Sequence, residues 1–129
     1  MRVFIVDDSE VVVERLADLL NEVPGVELAG RASDVPEAIH SILKANPDVI
    51  ILDLQMPGGS GLEVLRTVRQ SRPSLRVLVC TNYPYPQYRE ECLAAGANYF
   101  LDKSAEFEKI SDILRDLIKK TPKAAPAAR

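Results

Sequence analysis

Five times along this chain a short apolar run gives way to a segment whose apolar residues recur at helical spacing. No other feature of the sequence restricts the fold as tightly. The runs are Val3–Val6, the stretch holding Val26, Leu28 and Ala29, then Val49–Leu52, Leu75–Cys80 and Tyr99–Leu101. Strands that alternate with helices imply a parallel sheet covered on both faces, and right-handed crossovers leave few ways to wind it. Five units of this length fit a doubly wound α/β fold, a five-stranded parallel sheet in the order 2-1-3-4-5, the flavodoxin-like (βα)5 arrangement.

The helical segments carry their own start and stop signals. The first presents Val12, Leu16, Leu19, Leu20 and Val23 and is expected to end at Pro24-Gly25. Asp34 and Glu37 read as a D-x-x-E variant of the capping box for the second, which buries Ala38, Ile39, Ile42 and Leu43 and stops near Asn46-Pro47. Ser60 and Glu63 read as a full capping box for the third, with Leu62, Leu65 and Val68 inward. Pro84 and Pro86 exclude a helix interior, so the fourth helix starts only at about Pro86, is short, and runs to Ala95 with Gly96 as its stop. The last carries Phe107, Ile110, Ile113, Leu114, Leu117 and Ile118. Residues 121–129 have no apolar face, so a single domain over 1–120 followed by a disordered tail is expected.

Composition excludes several classes. A chain of 129 residues at 47% hydrophobic can bury a real core, and a net charge of -3 gives no support for non-specific nucleic-acid or membrane binding. No apolar stretch has the length of a bilayer crossing, and no signal-peptide pattern is seen, so a cytoplasmic location is expected. Cys80 and Cys92 lack metal or redox spacing and read as free thiols.

Parallel strands bring their carboxyl ends to one edge, where open α/β sheets bind ligands. That edge collects Asp7 and Asp8, Asp53, Thr81 and Lys103 from four of the five strands. Carboxylates ~5 Å apart at an effective dielectric near 20 repel by about 3 kcal/mol per pair, so such a cluster takes up protons or binds a cation. All-oxygen ligands in an open, wet site favour Mg²⁺. A carboxylate can attack a phosphoryl group, Lys103 can supply a mobile point charge, and the Thr81 hydroxyl can donate to a phosphoryl oxygen. A purely structural ion-pair cluster is the alternative reading.

Asp7-Asp8 after the first strand, the D-x-x-M-P-x-x-x-G run from Asp53 to Gly61, Thr81 and Lys103 together resemble the receiver domain of bacterial two-component response regulators. The resemblance implies that Asp53 is the phosphoacceptor. It implies that Asp8, Asp53 and the backbone carbonyl of Gln55 bind Mg²⁺ directly, with Asp7 acting mainly through water. Phosphate would come from a sensor histidine kinase or phosphotransfer protein. Phosphorylation would draw Thr81 inward and let Phe100, three residues before the lysine, turn into the vacated space. Tyr99 should face the other side of its strand. A chain of this kind is no enzyme beyond Mg²⁺-dependent self-phosphorylation and autodephosphorylation. As a single-domain regulator it would signal through protein–protein contact with a downstream protein, without direct DNA binding, and a phosphorylation-dependent homodimer stays open. A receiver fragment of a larger regulator is one alternative. An aspartyl-phosphate phosphatase is another, although Gln55 stands where such an enzyme wants a second acid.

Some residues depart from the family pattern. Ser104 follows the lysine where proline is usual, and Asn82 is larger than the small residues common after the threonine. Gln55 and Tyr83 fall where the family tunes phosphate loss, and an aromatic over the site predicts slow self-dephosphorylation. His40 is expected on the surface, away from the acids. Helical spacing spreads Arg66, Arg69 and Arg72 along an exposed, solvated face. Tyr83, Tyr85 and Tyr88 fit either loop packing or a partner surface.

Overall fold

The computed structural model describes residues 1–120. The expected tail, residues 121–129, lies outside the described residues. A central sheet is built from β1 (Arg2–Val6), β2 (Glu27–Ala32), β3 (Val49–Leu52), β6 (Arg76–Thr81) and β7 (Tyr99–Asp102). All four pairings are parallel, and the strands lie in the order β2-β1-β3-β6-β7. That is the predicted 2-1-3-4-5 arrangement. Helices α1 (Glu10–Asn21), α2 (Val35–Ala45), α3 (Gly61–Ser71), α4 (Pro86–Ala94) and α5 (Lys109–Lys120) connect and follow the strands.

Two apolar layers sandwich the sheet. Alternate residues of β1 and β3 divide between them: Phe4, Val6, Ile50 and Leu52 face α2, α3 and α4, whereas Val3, Ile5, Val49 and Ile51 face α1 and α5. Phe100 and Tyr99 likewise lie in opposite layers, as the period of a strand requires. Strands covered on both faces need no polar alternation, which is why β3 reads as an unbroken apolar run.

Several local expectations shift by a residue or two. The inward line of α1 is Val13, Leu16 and Leu20, with Val12 only partly buried, and the helix ends at Asn21 before Pro24-Gly25 is reached. In α3 the buried line is Val64, Leu65 and Val68, with Leu62 at its edge. The second strand sits at the edge of the sheet and leaves Leu28 exposed. Phe107 is buried but precedes α5 rather than belonging to it.

The first capping box is half made and the second is replaced by a plain N-cap. The Asp34 carboxylate accepts from Glu37 N at 2.8 Å, but the Glu37 carboxylate reaches Ser33 N instead of Asp34 N. Ser60 Oγ accepts from Leu62 N, one residue earlier than a capping box requires.

A short hairpin appears where a plain loop was expected, formed by β4 (Gln55–Met56) and β5 (Gly59–Ser60). It is tied to α2 by Val35 N donating to Pro57 O.

Arg69 and Arg72 do not lie on a solvated face. Arg69 donates to the carbonyl oxygens of Arg72, Pro73, Leu75 and Gly96 and to Asn98 Oδ1, and Arg72 reaches Asn46 Oδ1 and Leu43 O. Helix ends and turns expose carbonyls with no intrahelical donor, and a guanidinium with five N–H groups satisfies several at once.

Candidate functional site

Backbone bonds at the carboxyl ends of the strands set the position of each site residue. Asp7 N donates to Ala32 O of β2, Asp53 N to Val6 O of β1, and Lys103 N to Thr81 O of β6. Each residue therefore stands one step past its strand, where the ladder has just ended and side chains turn toward the sheet edge. Gly61 closes the loop behind Asp53 by donating to Leu54 O. A Cβ on Gly61 would stand 2.1 Å from the Asp53 carbonyl oxygen, so only glycine permits this approach.

These anchors bring Asp7, Asp8 and Asp53 together. Each offers a carboxylate oxygen, and the three atoms lie within 4.8 Å of one another. Lys103 closes one side, with Nζ 2.7 Å from Asp7 Oδ2 and 3.4 Å from Asp53 Oδ2. Asp7, Asp53 and Lys103 are all buried, at 4%, 6% and 8% exposure, while Asp8 is exposed at the rim.

Burial is the main force raising the Asp53 carboxyl above its ordinary value; Lys103 opposes it and the neighbouring Asp7 charge adds to it. Burial alone would lower the Lys103 ammonium, but the Asp7 hydrogen bond and the charges of Asp53 and Asp7 outweigh that and hold it high. One cation thus serves two carboxylates, and the third acid has no such partner. The set is all oxygen, exceeds its internal cation in charge, and is open on the Asp8 side, all of which suit a hard divalent ion.

Thr81 is fully buried at the end of β6, and its Oγ1 accepts from Tyr83 N at 3.0 Å. Gln55 lies exposed in the hairpin, with its backbone N 3.4 Å from Asp53 Oδ1. The Phe100 ring is already buried, packed in the layer that holds Leu54 and Val79, with the Arg89 guanidinium 5.9 Å from its centre. All described peptide bonds are trans, including Lys103–Ser104.

His40 is exposed on α2, and both cysteines are buried, with burial pushing the Cys80 thiol up to about 12. Tyr83, Tyr85 and Tyr88 form a tilted ladder, with ring centres 6.4 and 5.8 Å apart.

Ser9 was not singled out from the sequence, although its position after Asp7-Asp8 and before a helix is a capping signal. Its N–H donates to Asp7 Oδ1 at 2.9 Å, and its Oγ caps α1 by accepting from Val12 N. It orients the very carboxylate that Lys103 grips.

Comparison with known proteins decides the family. The profile of the response regulator receiver domain matches residues 3–115. The chain belongs to the response regulator receiver family. The receiver is 34% identical over 117 residues to the DNA-binding transcriptional activator DevR/DosR of Mycobacterium tuberculosis, a match covering 91% of this chain and 54% of that protein. It therefore spans about half the length of that curated relative. Among solved structures, the isolated receiver domain of RcsB from Salmonella enterica serovar Typhimurium, in the presence of the phosphomimetic BeF3⁻, superposes with a TM-score of 0.85 at 26% identity, covering 92% of this chain and 88% of that one. A chain of the CheX–CheY–BeF3–Mg²⁺ complex from Borrelia burgdorferi gives a TM-score of 0.77 at 25% identity, covering 88% and 89%. Among the described residues of the receiver, no helix is long and apolar enough to cross a membrane.

Proposed function

We propose that this receiver accepts a phosphoryl group on Asp53 from a histidine kinase or phosphotransfer protein and passes the signal on through a changed protein-binding surface. The observation that carries this reading is the shared grip of Lys103 on Asp7 and Asp53 beside a third, exposed carboxylate.

In this reading an Asp53 carboxylate oxygen attacks phosphorus while the bond to the donor's imidazole nitrogen breaks, leaving an acyl phosphate. Lys103, freed from Asp53, turns to a phosphoryl oxygen, and Thr81 exchanges its bond with Tyr83 N for donation to another. Asp7, Asp8, Asp53 and the Gln55 carbonyl form the metal-binding set. Mg²⁺ bound there would neutralise charge on the phosphoryl oxygens. Phe100, already inside, reports the change through the Arg89 it packs against. Slow autodephosphorylation belongs to the same reading, with Tyr83, whose N–H donates to Thr81 Oγ1, as the residue that would limit attack by water. Action in the cytoplasm and a downstream partner met by protein contact complete the reading.

Incubation with acetyl phosphate and Mg²⁺, read by intact mass, tests it. One added phosphate that vanishes in Asp53→Asn supports the reading, whereas an adduct that persists in that variant overturns it.

A second reading is that the receiver forms the regulatory half of a longer DNA-binding regulator. The 54% coverage of the activator from Mycobacterium tuberculosis favours it. Sequencing of the encoding locus beyond codon 129 distinguishes the two.

A further inference from the structure

Lys103 needs rigid support on both sides, and the sheet supplies only one. Its own N–H is fixed to Thr81 O at 2.7 Å, but after it the chain leaves an edge strand with no neighbour to pair with. A lysine side chain has four rotatable bonds, so a backbone free to rock would smear the ammonium over several ångströms. Yet Nζ sits 2.7 Å from Asp7 Oδ2.

The missing support is a set of side-chain bonds around the turn. The Asp102 carboxylate accepts from Ser104 N at 3.0 Å and from Ser104 Oγ at 2.8 Å, folding the chain back just past the lysine. Glu106 grips Asp102 from the other side: its Oε1 accepts from Asp102 N at 2.9 Å, and its own N–H donates to Asp102 O at 2.7 Å. Lys109 Nζ holds the second Glu106 oxygen at 2.9 Å. Phe107 then anchors the turn in the core beneath the Arg15 guanidinium, which lies 4.2 Å from the ring centre.

We infer that Asp102, Ser104 and Glu106 are positioning residues that aim Lys103 at the phosphoryl group, an inference that rests on Asp53 being the phosphoacceptor. The three bracket Lys103 and touch neither Asp7 nor Asp53. The hydrogen bonds also hold the Asp102 and Glu106 carboxyls below their ordinary values, so both are full acceptors at neutral pH. A site displaced by about 1 Å loses up to 10²-fold in rate, so a turn that fixes the Lys103 backbone acts on phosphoryl transfer through that lysine. The acids proposed to hold the metal are anchored to β1 and β2 through their backbone, so loss of the turn should not weaken Mg²⁺ binding.

The test compares full-length wild type with Glu106→Ala, Glu106→Gln, Asp102→Ala and Asp102→Asn. Each is assayed for its rate of phosphorylation by acetyl phosphate and, separately, for Mg²⁺ affinity by calorimetric titration. The expected result is a rate about tenfold or more below wild type in both alanine variants, with Mg²⁺ affinity no weaker than wild type. The Gln and Asn variants, which keep an acceptor oxygen, should recover most of the rate. Alanine variants that phosphorylate at the wild-type rate overturn the inference. So does a parallel loss of Mg²⁺ affinity, which marks general damage to the site. Ser104→Ala, which removes only one hydroxyl and keeps the turn's other bonds, gives a smaller loss in the same direction and covers the case of an alanine variant that fails to fold. Wild type that takes up no phosphate instead refutes the reading of Asp53, an outcome separate from any difference among these variants.

Discussion

The Lys103 ammonium lies closer to Asp7 than to Asp53, at 2.7 Å against 3.4 Å. The cation is therefore held chiefly by Asp7 and not by Asp53, the proposed phosphoacceptor. That arrangement keeps Lys103 beside Asp53 while leaving one Asp53 oxygen, Oδ1, with only the 3.4 Å approach of Gln55 N. Removing the lysine strands two buried carboxylates. Lys103→Met should lose about 3 kcal/mol of stability in metal-free buffer, because a buried charge without its partner is costly. Mg²⁺ should then stabilise the variant more than wild type, since it becomes the sole cation available to the acids. Thermal melts with EDTA and with Mg²⁺ check both points; an equal Mg²⁺ response in the two proteins counts against the shared grip.

Asp53 carries a stability cost with a definite pH dependence. Its carboxyl is held above the ordinary value by burial first and by Asp7 as well, against the pull of Lys103. A raised acid favours the folded state below the unfolded value, and that benefit disappears as pH rises through the folded value. Asparagine is neutral throughout. Asp53→Asn should therefore be more stable than wild type at pH 7 in EDTA. The difference should shrink as pH falls into the carboxylate range. A variant less stable than wild type at pH 7 refutes this account.

Gly61 permits the tight loop that presents Asp53. A methyl group there meets the Asp53 carbonyl oxygen at 2.1 Å and Leu54 Cα at 2.9 Å, both backbone atoms that cannot step aside. Gly61→Ala should cost about 3 kcal/mol and weaken Mg²⁺ binding, because the strain falls on Asp53, a proposed ligand of the ion. Denaturant melts and calorimetry measure the two effects. Unchanged Mg²⁺ affinity would show that the loop relaxes elsewhere.

Arg69 separates stability from site chemistry. Its guanidinium joins the α3–β6 turn to Gly96 O at 2.6 Å, and Gly96 packs so closely that a Cβ would lie 2.8 Å from Arg69 Nε. Arg69→Met should lose about 2–3 kcal/mol through the carbonyl oxygens left without a donor. Mg²⁺ affinity should stay at the wild-type value, since none of these contacts reaches the acids. Urea melts paired with Mg²⁺ titration give the comparison.

Much of the architecture was legible because it follows local rules. Buried parallel strands announce themselves as apolar runs, and Pro84 and Pro86 place the start of α4 to the residue. The acids and the lysine were legible because parallel strands must deliver their ends to one edge. The errors have a common cause. Val12 and Val13 both satisfy helical spacing, and only packing against the sheet chose Val13. Arg69 looks like any exposed helical arginine until α3 meets the α4–β7 turn, 27 residues away in sequence. The β4–β5 hairpin and the displaced capping bonds are likewise settled by neighbours, Pro57 against Val35 and Glu37 against Ser33.

By itself, then, the sequence determined which residues reach the edge: alternation and strand length put Asp7, Asp8, Asp53, Thr81 and Lys103 at or just past the carboxyl ends of their strands, since the period of a backbone ladder depends on local geometry alone. Tertiary structure decided how those residues share charge. That Lys103 prefers Asp7, that Asp8 is left at the rim, and that Ser104 and Glu106 brace the lysine all depend on distances between segments up to 96 residues apart. Electrostatic energies change steeply over an ångström, and no spacing along a chain specifies a distance across it.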